Sequence, residues 1–89
     1  MKQLEKELTV NNPNGVHGRV ASHLARIAGA YDATVHIVYG KTAIDCNAIL
    51  DVLSMGLVYG TRLKIRTGGR EMKKAMAEVE QLFSRREDP

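Results

Sequence analysis

The chain has 89 residues, of which 44% are hydrophobic and 26% are charged, and its net charge is +3. This length suits one domain with one modest core, so we expect residues 1–89 to form a single domain. No apolar run approaches the roughly 18 residues of a membrane span, and the N-terminus lacks the apolar middle of a signal peptide. The sequence therefore predicts a cytoplasmic protein without direct membrane insertion, and its charge is too small to indicate a nucleic-acid-binding protein.

The first half of the chain predicts a strand, a helix and a β-hairpin. Residues 4–10 alternate between apolar and polar, as a strand with one wet face does, and the Asn- and Gly-containing run that follows forms a turn. Over residues 18–29 the apolar residues recur at helical spacing, and Gly29 is the expected end of that helix. Residues 34–39 are rich in β-branched side chains and predict a strand that turns at residues 39–41 into a second strand.

The second half predicts a short helix, a strand and a longer helix. Asn47 is a candidate N-cap for a helix over residues 48–55. Residues 61–67 alternate between cations and apolar residues as a half-buried strand does, and residues 72–83 repeat apolar side chains at helical spacing. The charged tail, residues 85–89, is expected to be frayed and solvated.

The element order β-α-β-β-α-β-α defines the predicted fold class. Strands with one charged face indicate a sheet that helices cover on one side only. We therefore predict an α+β open-faced β-sandwich, with a four-stranded antiparallel sheet covered on one face by three helices.

Most of the titratable side chains have an ordinary structural interpretation. The one cysteine, Cys46, excludes an internal disulfide and is interpreted as a small buried hydrophobe. His36 lies on a predicted strand and His23 on the polar face of a helix, so both are expected near the surface. The spacing of the histidines does not fit a metal site, so the sequence predicts no metal and no cofactor.

His17 differs because it stands at the start of the first predicted helix. A helix N-terminus offers free N–H groups and the positive end of a dipole, which together favour a bound phosphate. Arg19 can add charge-assisted hydrogen bonds to phosphoryl oxygens, and a neutral imidazole is a nucleophile. Spacing alone also allows a plain capping or surface role for His17.

The run Asn-Gly-Val-His-Gly-Arg at residues 14–19 resembles the active-site segment of the HPr family, the histidine-containing phosphocarriers of the bacterial phosphotransferase system. The resemblance extends over the whole chain, including residues 40–41 at the hairpin, residues 53–57 after the short helix and residues 60–61 before the last strand. It implies an HPr-like fold.

The resemblance also implies a function. In the family, the histidine accepts a phosphoryl group on Nδ1 from Enzyme I, which phosphoenolpyruvate charges, and passes it to an EIIA-type protein. Here His17 would be the acceptor, while Arg19 and the backbone of Gly18 and Arg19 would hold the phosphate. We expect a stoichiometric carrier within a relay rather than an enzyme. It would act as a monomer, with Enzyme I and EIIA-type proteins as partners and no nucleic acid.

The expected partner surface combines the two helices beside His17. The short helix carries more apolar residues than one buried face needs, and exposed apolar patches commonly mark partner sites. The basic face of the first helix would steer acidic partners. Two plainer explanations remain open: the short helix is wedged between other elements, and the charged face of the first helix is simply solvated. The predicted partner-binding residues are Val20, His23, Arg26, Ile49, Leu50, Leu53 and Ser54.

Three positions depart from the family pattern. Gly18 stands where Thr or Ala is usual, and Val20 replaces a proline that would rigidify the first helical turn. Ala48 stands where many Gram-positive relatives carry a serine that a dedicated kinase phosphorylates. We therefore expect altered order at the helix start and no regulation by that kinase.

Other functions fit parts of the sequence. Arg62, Lys64 and Arg66 on the open sheet face would suit a nucleic-acid-binding module, but the aromatic side chains that read bases are missing from the central strands. A regulatory paralogue with little relay activity, or a carrier for a specialised kinase, would share the sequence features of a sugar-transport carrier.

Overall fold

Within residues 2–89, which this computed structural model describes, four strands and three helices follow one another in the predicted order. Their bounds are β1 Gln3–Thr9, α1 Gly18–Ala30, β2 Thr34–Tyr39, β3 Thr42–Asp45, α2 Ile49–Ser54, β4 Arg62–Gly68 and α3 Met72–Ser84. The predicted fold class is confirmed. None of these helices is both long and apolar enough to span a membrane.

The sheet has the strand order β1-β4-β2-β3, and all neighbouring strands are antiparallel. The alternation of β4 turns Leu63 and Ile65 into the core, whereas Arg62 and Lys64 remain exposed. The helices α1 and α3 bury their apolar stripes against this inner face, because side chains at helical spacing share one side of the cylinder. The opposite face of the sheet is left open.

Charge on that open face is balanced across strands. Glu5 of β1 lies 3.0 Å from Arg66 Nε and 3.7 Å from Lys64 Nζ. Cross-strand pairs of opposite charge stabilise a sheet modestly. The cationic stripe noted in the sequence is therefore partly neutralised by its neighbouring strand.

Two predicted helix ends are wrong. The helix α1 passes through Gly29 to Ala30 and reaches extended backbone at Tyr31, so the glycine does not stop it. The N-cap of α2 is Ala48, and no side chain caps that helix. Asn47 belongs to the turn before it, where its backbone N–H donates to the carboxylate of Asp45 at 2.8 Å.

Cys46 is completely buried, as predicted. Burial, with the nearby charge of Asp45 adding to it, raises the pKa of the thiol to about 12. Because the thiolate is the reactive form, this environment makes Cys46 chemically inert in the folded protein.

Thiol labelling tests this packing. At pH 8, only roughly one thiol in ten thousand would be ionised with such a pKa, so Ellman's reagent is expected to react very slowly with the native protein and rapidly in urea. Rapid stoichiometric labelling under native conditions would contradict the burial of Cys46.

Candidate functional site

His17 is the N-cap residue of α1. Its backbone is extended, and its carbonyl accepts the first helical hydrogen bond, from Ala21 N at 2.9 Å. The N–H groups of the three residues between them precede the helical ladder and lack partners within the helix. The ring also faces this helix end, since its Nδ1 accepts a long hydrogen bond from Arg19 N at 3.4 Å. The N–H groups and the ring of His17 thus lie next to the place where a helix N-terminus binds an anion.

The turn before His17 depends on a glycine. Gly15 has a φ of +71°, and a Cβ there would lie 2.4 Å from the carbonyl oxygen of Leu57. The next residue, Val16, donates its N–H to that same oxygen at 2.8 Å. A side chain at position 15 would therefore push apart two segments that are hydrogen-bonded to each other. Because Gly15 has no side chain, the turn can approach the carbonyl of Leu57, and this contact fixes the position of His17.

Asn12 organises the same turn from its interior. It is 6% exposed, its side-chain oxygen accepts from Asn14 N at 2.9 Å, and its backbone carbonyl accepts from Gly15 N at 2.8 Å. Its side-chain amide donates to Asp88 Oδ1 at 2.9 Å. The sequence marked this residue only as part of a turn, because a local Asx turn says nothing about a partner 76 residues away.

The prediction of a frayed, solvated tail is wrong at Asp88. One oxygen of its carboxylate lies 2.7 Å from His17 Nε2. Hydrogen bonds from Asn12 first and from His17 second lower the pKa of Asp88, and the positive charge of Arg19 acts in the same direction. The composition of the tail is typical of a solvated segment, and no periodic pattern reveals a contact between the two ends of the chain.

The predicted partner residues of α2 share one partly open surface. Leu50 is 77% exposed, while Ile49 and Leu53 are half-buried against the core, and Ser54 donates its hydroxyl to the carbonyl of Leu50 at 2.7 Å. Val52 is the buried side chain of this helix, as expected. The short helix therefore buries Val52 fully, packs Ile49 and Leu53 partly against the core and presents Leu50 outward.

The predicted residues of α1 do not all reach the surface. Arg19 and Arg26 are exposed and His23 is half-buried, but Val20 is 6% exposed and belongs to the core cluster. Val20 also lies on the apolar stripe of this amphipathic helix, and that periodicity decides its orientation. It is removed from the predicted partner surface.

Two exposed apolar residues near the turn escaped the sequence analysis. Val58 and Tyr59 are 65% and 55% exposed, and they directly follow Leu57, whose carbonyl holds the His17 turn. Both lie between Gly56 and Gly60. An apolar pair in a glycine-flanked loop is the signal that was available, since such loops usually carry polar residues.

Comparison with known proteins finds related sequences and related folds. A family model described as "PTS HPr component phosphorylation site" matches residues 4–85. The phosphocarrier protein NPr of Shewanella violacea is 28% identical over 79 residues, which cover 89% of this chain and 87% of that protein. The phosphocarrier protein HPr of Pseudomonas aeruginosa is 28% identical over 83 residues and 92% of each chain. A crystal structure of a phosphocarrier protein HPr from Bacillus anthracis matches with a TM-score of 0.86 at 19% identity, over 93% of this chain and 99% of that one.

The family match covers nearly the entire chain and includes the turn, the helix start and His17. The chain therefore belongs to the HPr family.

Paired glycine substitutions test the turn. Gly15→Ala is expected to lower the free energy of unfolding by about 2 kcal/mol or more, because alanine is strained at positive φ and its Cβ would clash with the backbone. Gly18→Ala is the matched control, since a Cβ there meets nothing within 4 Å, and its effect should stay within about 1 kcal/mol. Urea unfolding measures both, and equal effects of the two substitutions would contradict the account of the turn.

Proposed function

We propose that this protein is a cytoplasmic, single-domain phosphocarrier that accepts a phosphoryl group on His17 from Enzyme I, charged by phosphoenolpyruvate, and passes it to an EIIA-type protein in sugar uptake or its regulation. The single observation that carries this proposal is the position of His17 as the N-cap of α1, with its Nδ1 turned toward the N–H groups that precede the helical ladder. Membership of the HPr family supports the same function.

The chemistry of such a carrier needs little more than this arrangement. The lone pair of Nδ1 attacks phosphorus. The N–H groups of Gly18 and Arg19 would donate hydrogen bonds to the phosphoryl oxygens. The guanidinium of Arg19 adds a positive charge that can pair with phosphoryl oxygens. Transfer to the next protein reverses the step and regenerates the imidazole, so the chain acts as a carrier and not as an enzyme.

Partners are proposed to dock on the surface beside His17, formed by α2 and the exposed face of α1. Its apolar part centres on Leu50, and its charged part on Arg19 and Arg26. An apolar centre with a cationic rim suits a partner that presents apolar and acidic groups. The remaining members of this docking surface are His23, Ile49, Leu53 and Ser54.

A regulatory paralogue with little relay activity is the second candidate. It is favoured by the relative named NPr, which is as similar to this chain as the relative from Pseudomonas aeruginosa named HPr. Fast acceptance of phosphate followed by slow release to sugar-uptake EIIA proteins would favour the regulatory role. The pairing of Lys64 and Arg66 with Glu5 weakens the case for a nucleic-acid-binding surface on the open sheet face.

Phosphoryl labelling tests the central proposal. Incubation with labelled phosphoenolpyruvate and Enzyme I is expected to give one acid-labile, base-stable phosphate per chain in the unaltered protein. His17→Ala should abolish the label, whereas His36→Gln, a change of another histidine on the open sheet face, should retain it. Absence of label in the unaltered protein, or label that survives His17→Ala, would refute the proposal.

A charge placed on the docking surface tests partner binding. Leu50→Glu is expected to raise the KM of Enzyme I for this carrier about tenfold, equivalent to about 1.4 kcal/mol, because the substitution removes an apolar anchor. Gln81→Glu adds the same charge on the exposed side of α3, outside the docking surface, and should leave this KM unchanged. Equal KM values for both variants would exclude Leu50 from the interface.

A further inference from the structure

The C-terminal tail brings a fixed carboxylate to the ring of His17. Asp88 Oδ1 lies 2.7 Å from Nε2, and the same oxygen accepts a hydrogen bond from the amide of Asn12 at 2.9 Å. Asn12 is buried and is itself held by the turn. Pro89, the next residue, lies along the exposed face of α1 near His23. Asp88 is thus anchored to the turn that carries His17.

The two ring nitrogens of His17 consequently have opposite neighbours. A backbone N–H, a donor, approaches Nδ1 at 3.4 Å, and a carboxylate oxygen, an acceptor, lies beside Nε2. An ionised carboxylate only accepts hydrogen bonds, so the short contact places the ring proton on Nε2. In a neutral imidazole the lone pair then resides on Nδ1. Both contacts therefore select the same tautomer.

We propose that Asp88 is a positioning residue for phosphoryl transfer, which keeps the ring proton of His17 on Nε2 and so presents the lone pair of Nδ1 to the phosphoryl donor. This inference rests on the proposed function of His17 as the phosphoryl acceptor. It adds a residue from outside the turn and the docking surface to the machinery of the site.

The same carboxylate opposes the charge that develops during the transfer. As Nδ1 forms its bond to phosphorus, the bond from phosphorus to the donor breaks and its electron pair leaves with the donor. The proton stays on Nε2, so the ring becomes a cation beside the Asp88 carboxylate. Such a pair stabilises the transition state through an electrostatic interaction that is already in place before the reaction. When the next protein takes the phosphoryl group, the N–P electron pair returns to Nδ1 and the ring is neutral again.

Asp88→Asn is the informative variant, because it removes the charge and keeps the shape of the side chain. Glu87→Gln is its matched control, since it removes the same charge one residue away from an exposed side chain. Two measurements apply to the unaltered protein and both variants. Nitrogen-15 NMR of the His17 ring reports the tautomer without any partner, and single-turnover labelling with phosphoenolpyruvate and Enzyme I reports the transfer rate.

We expect the unaltered protein and Glu87→Gln to show the Nε2–H tautomer and equal rates. Asp88→Asn should give a mixture of tautomers, because an amide can also donate to Nε2, and a transfer rate about tenfold lower. Rescue by Asp88→Glu would further separate the carboxylate from side-chain shape. Native chemical shifts elsewhere in the protein verify that each variant is folded.

The outcomes separate this inference from the function on which it rests. A transfer rate for Asp88→Asn equal to that of the unaltered protein would overturn the inference, and a higher rate would also overturn it, because the tail would then obstruct His17. An unchanged tautomer in Asp88→Asn would overturn it as well. If the unaltered protein takes no label, the proposed function fails, while the ring spectra still decide whether Asp88 holds Nε2–H.

Discussion

The close approach of two backbone segments, at Gly15 and Leu57, is the constraint on which the site depends. One carbonyl oxygen accepts the N–H of Val16 and lies where a side chain at position 15 would be. This contact ties the start of α1 to the loop after α2. It therefore sets the position of His17 relative to Leu50, although the two residues lie on different helices. A helix start that is fixed in this way can hold its free N–H groups in place before any anion arrives, which is the preorganisation that favours electrostatic catalysis.

Much of the fold could be predicted because its signals are local and periodic. The alternation of β4 and the helical stripe of α3 each decide which face is buried, and both were recognised within a few residues of their observed ends. The two errors at helix ends have different causes. Asn47 has the right side chain for a helix cap, but its backbone N–H is engaged by Asp45 in the preceding turn. Gly29 is exposed, and a Cβ added there would have nothing within 4 Å, so no contact forces the helix to end at this residue.

The candidate site divides in the same way into local and distant parts. His17 and Arg19 were identified from their place at a helix start and from the family resemblance, and both stand at that helix start in the structure. Asn12 and Asp88 were missed, because their contact joins positions 76 residues apart and leaves no trace in composition or spacing. The exposure of Leu50 was predicted from the excess of apolar residues in α2. Val20 was wrongly included in the predicted partner surface, since the stripe that makes α1 amphipathic also buries that side chain.

The departures from the family pattern have distinct structural consequences. Gly18 borders open space, so the missing side chain leaves the approach to the helix N-terminus unobstructed. Val20 takes part in the core but lacks the fixed φ that a proline would supply at the first turn. Ala48 caps α2 without a side-chain hydrogen bond, and it offers no hydroxyl for modification. The motif residues His17 and Arg19 themselves are retained.

A single spectrum can decide whether the phosphoryl group resides on one nitrogen of one histidine. Protein labelled with nitrogen-15 in its histidines and charged by phosphoenolpyruvate and Enzyme I should give one phosphorus-31 phosphoramidate signal, coupled to Nδ1 of His17. Coupling to Nε2, to the ring of His23 or His36, or the absence of any phosphoramidate signal would contradict it.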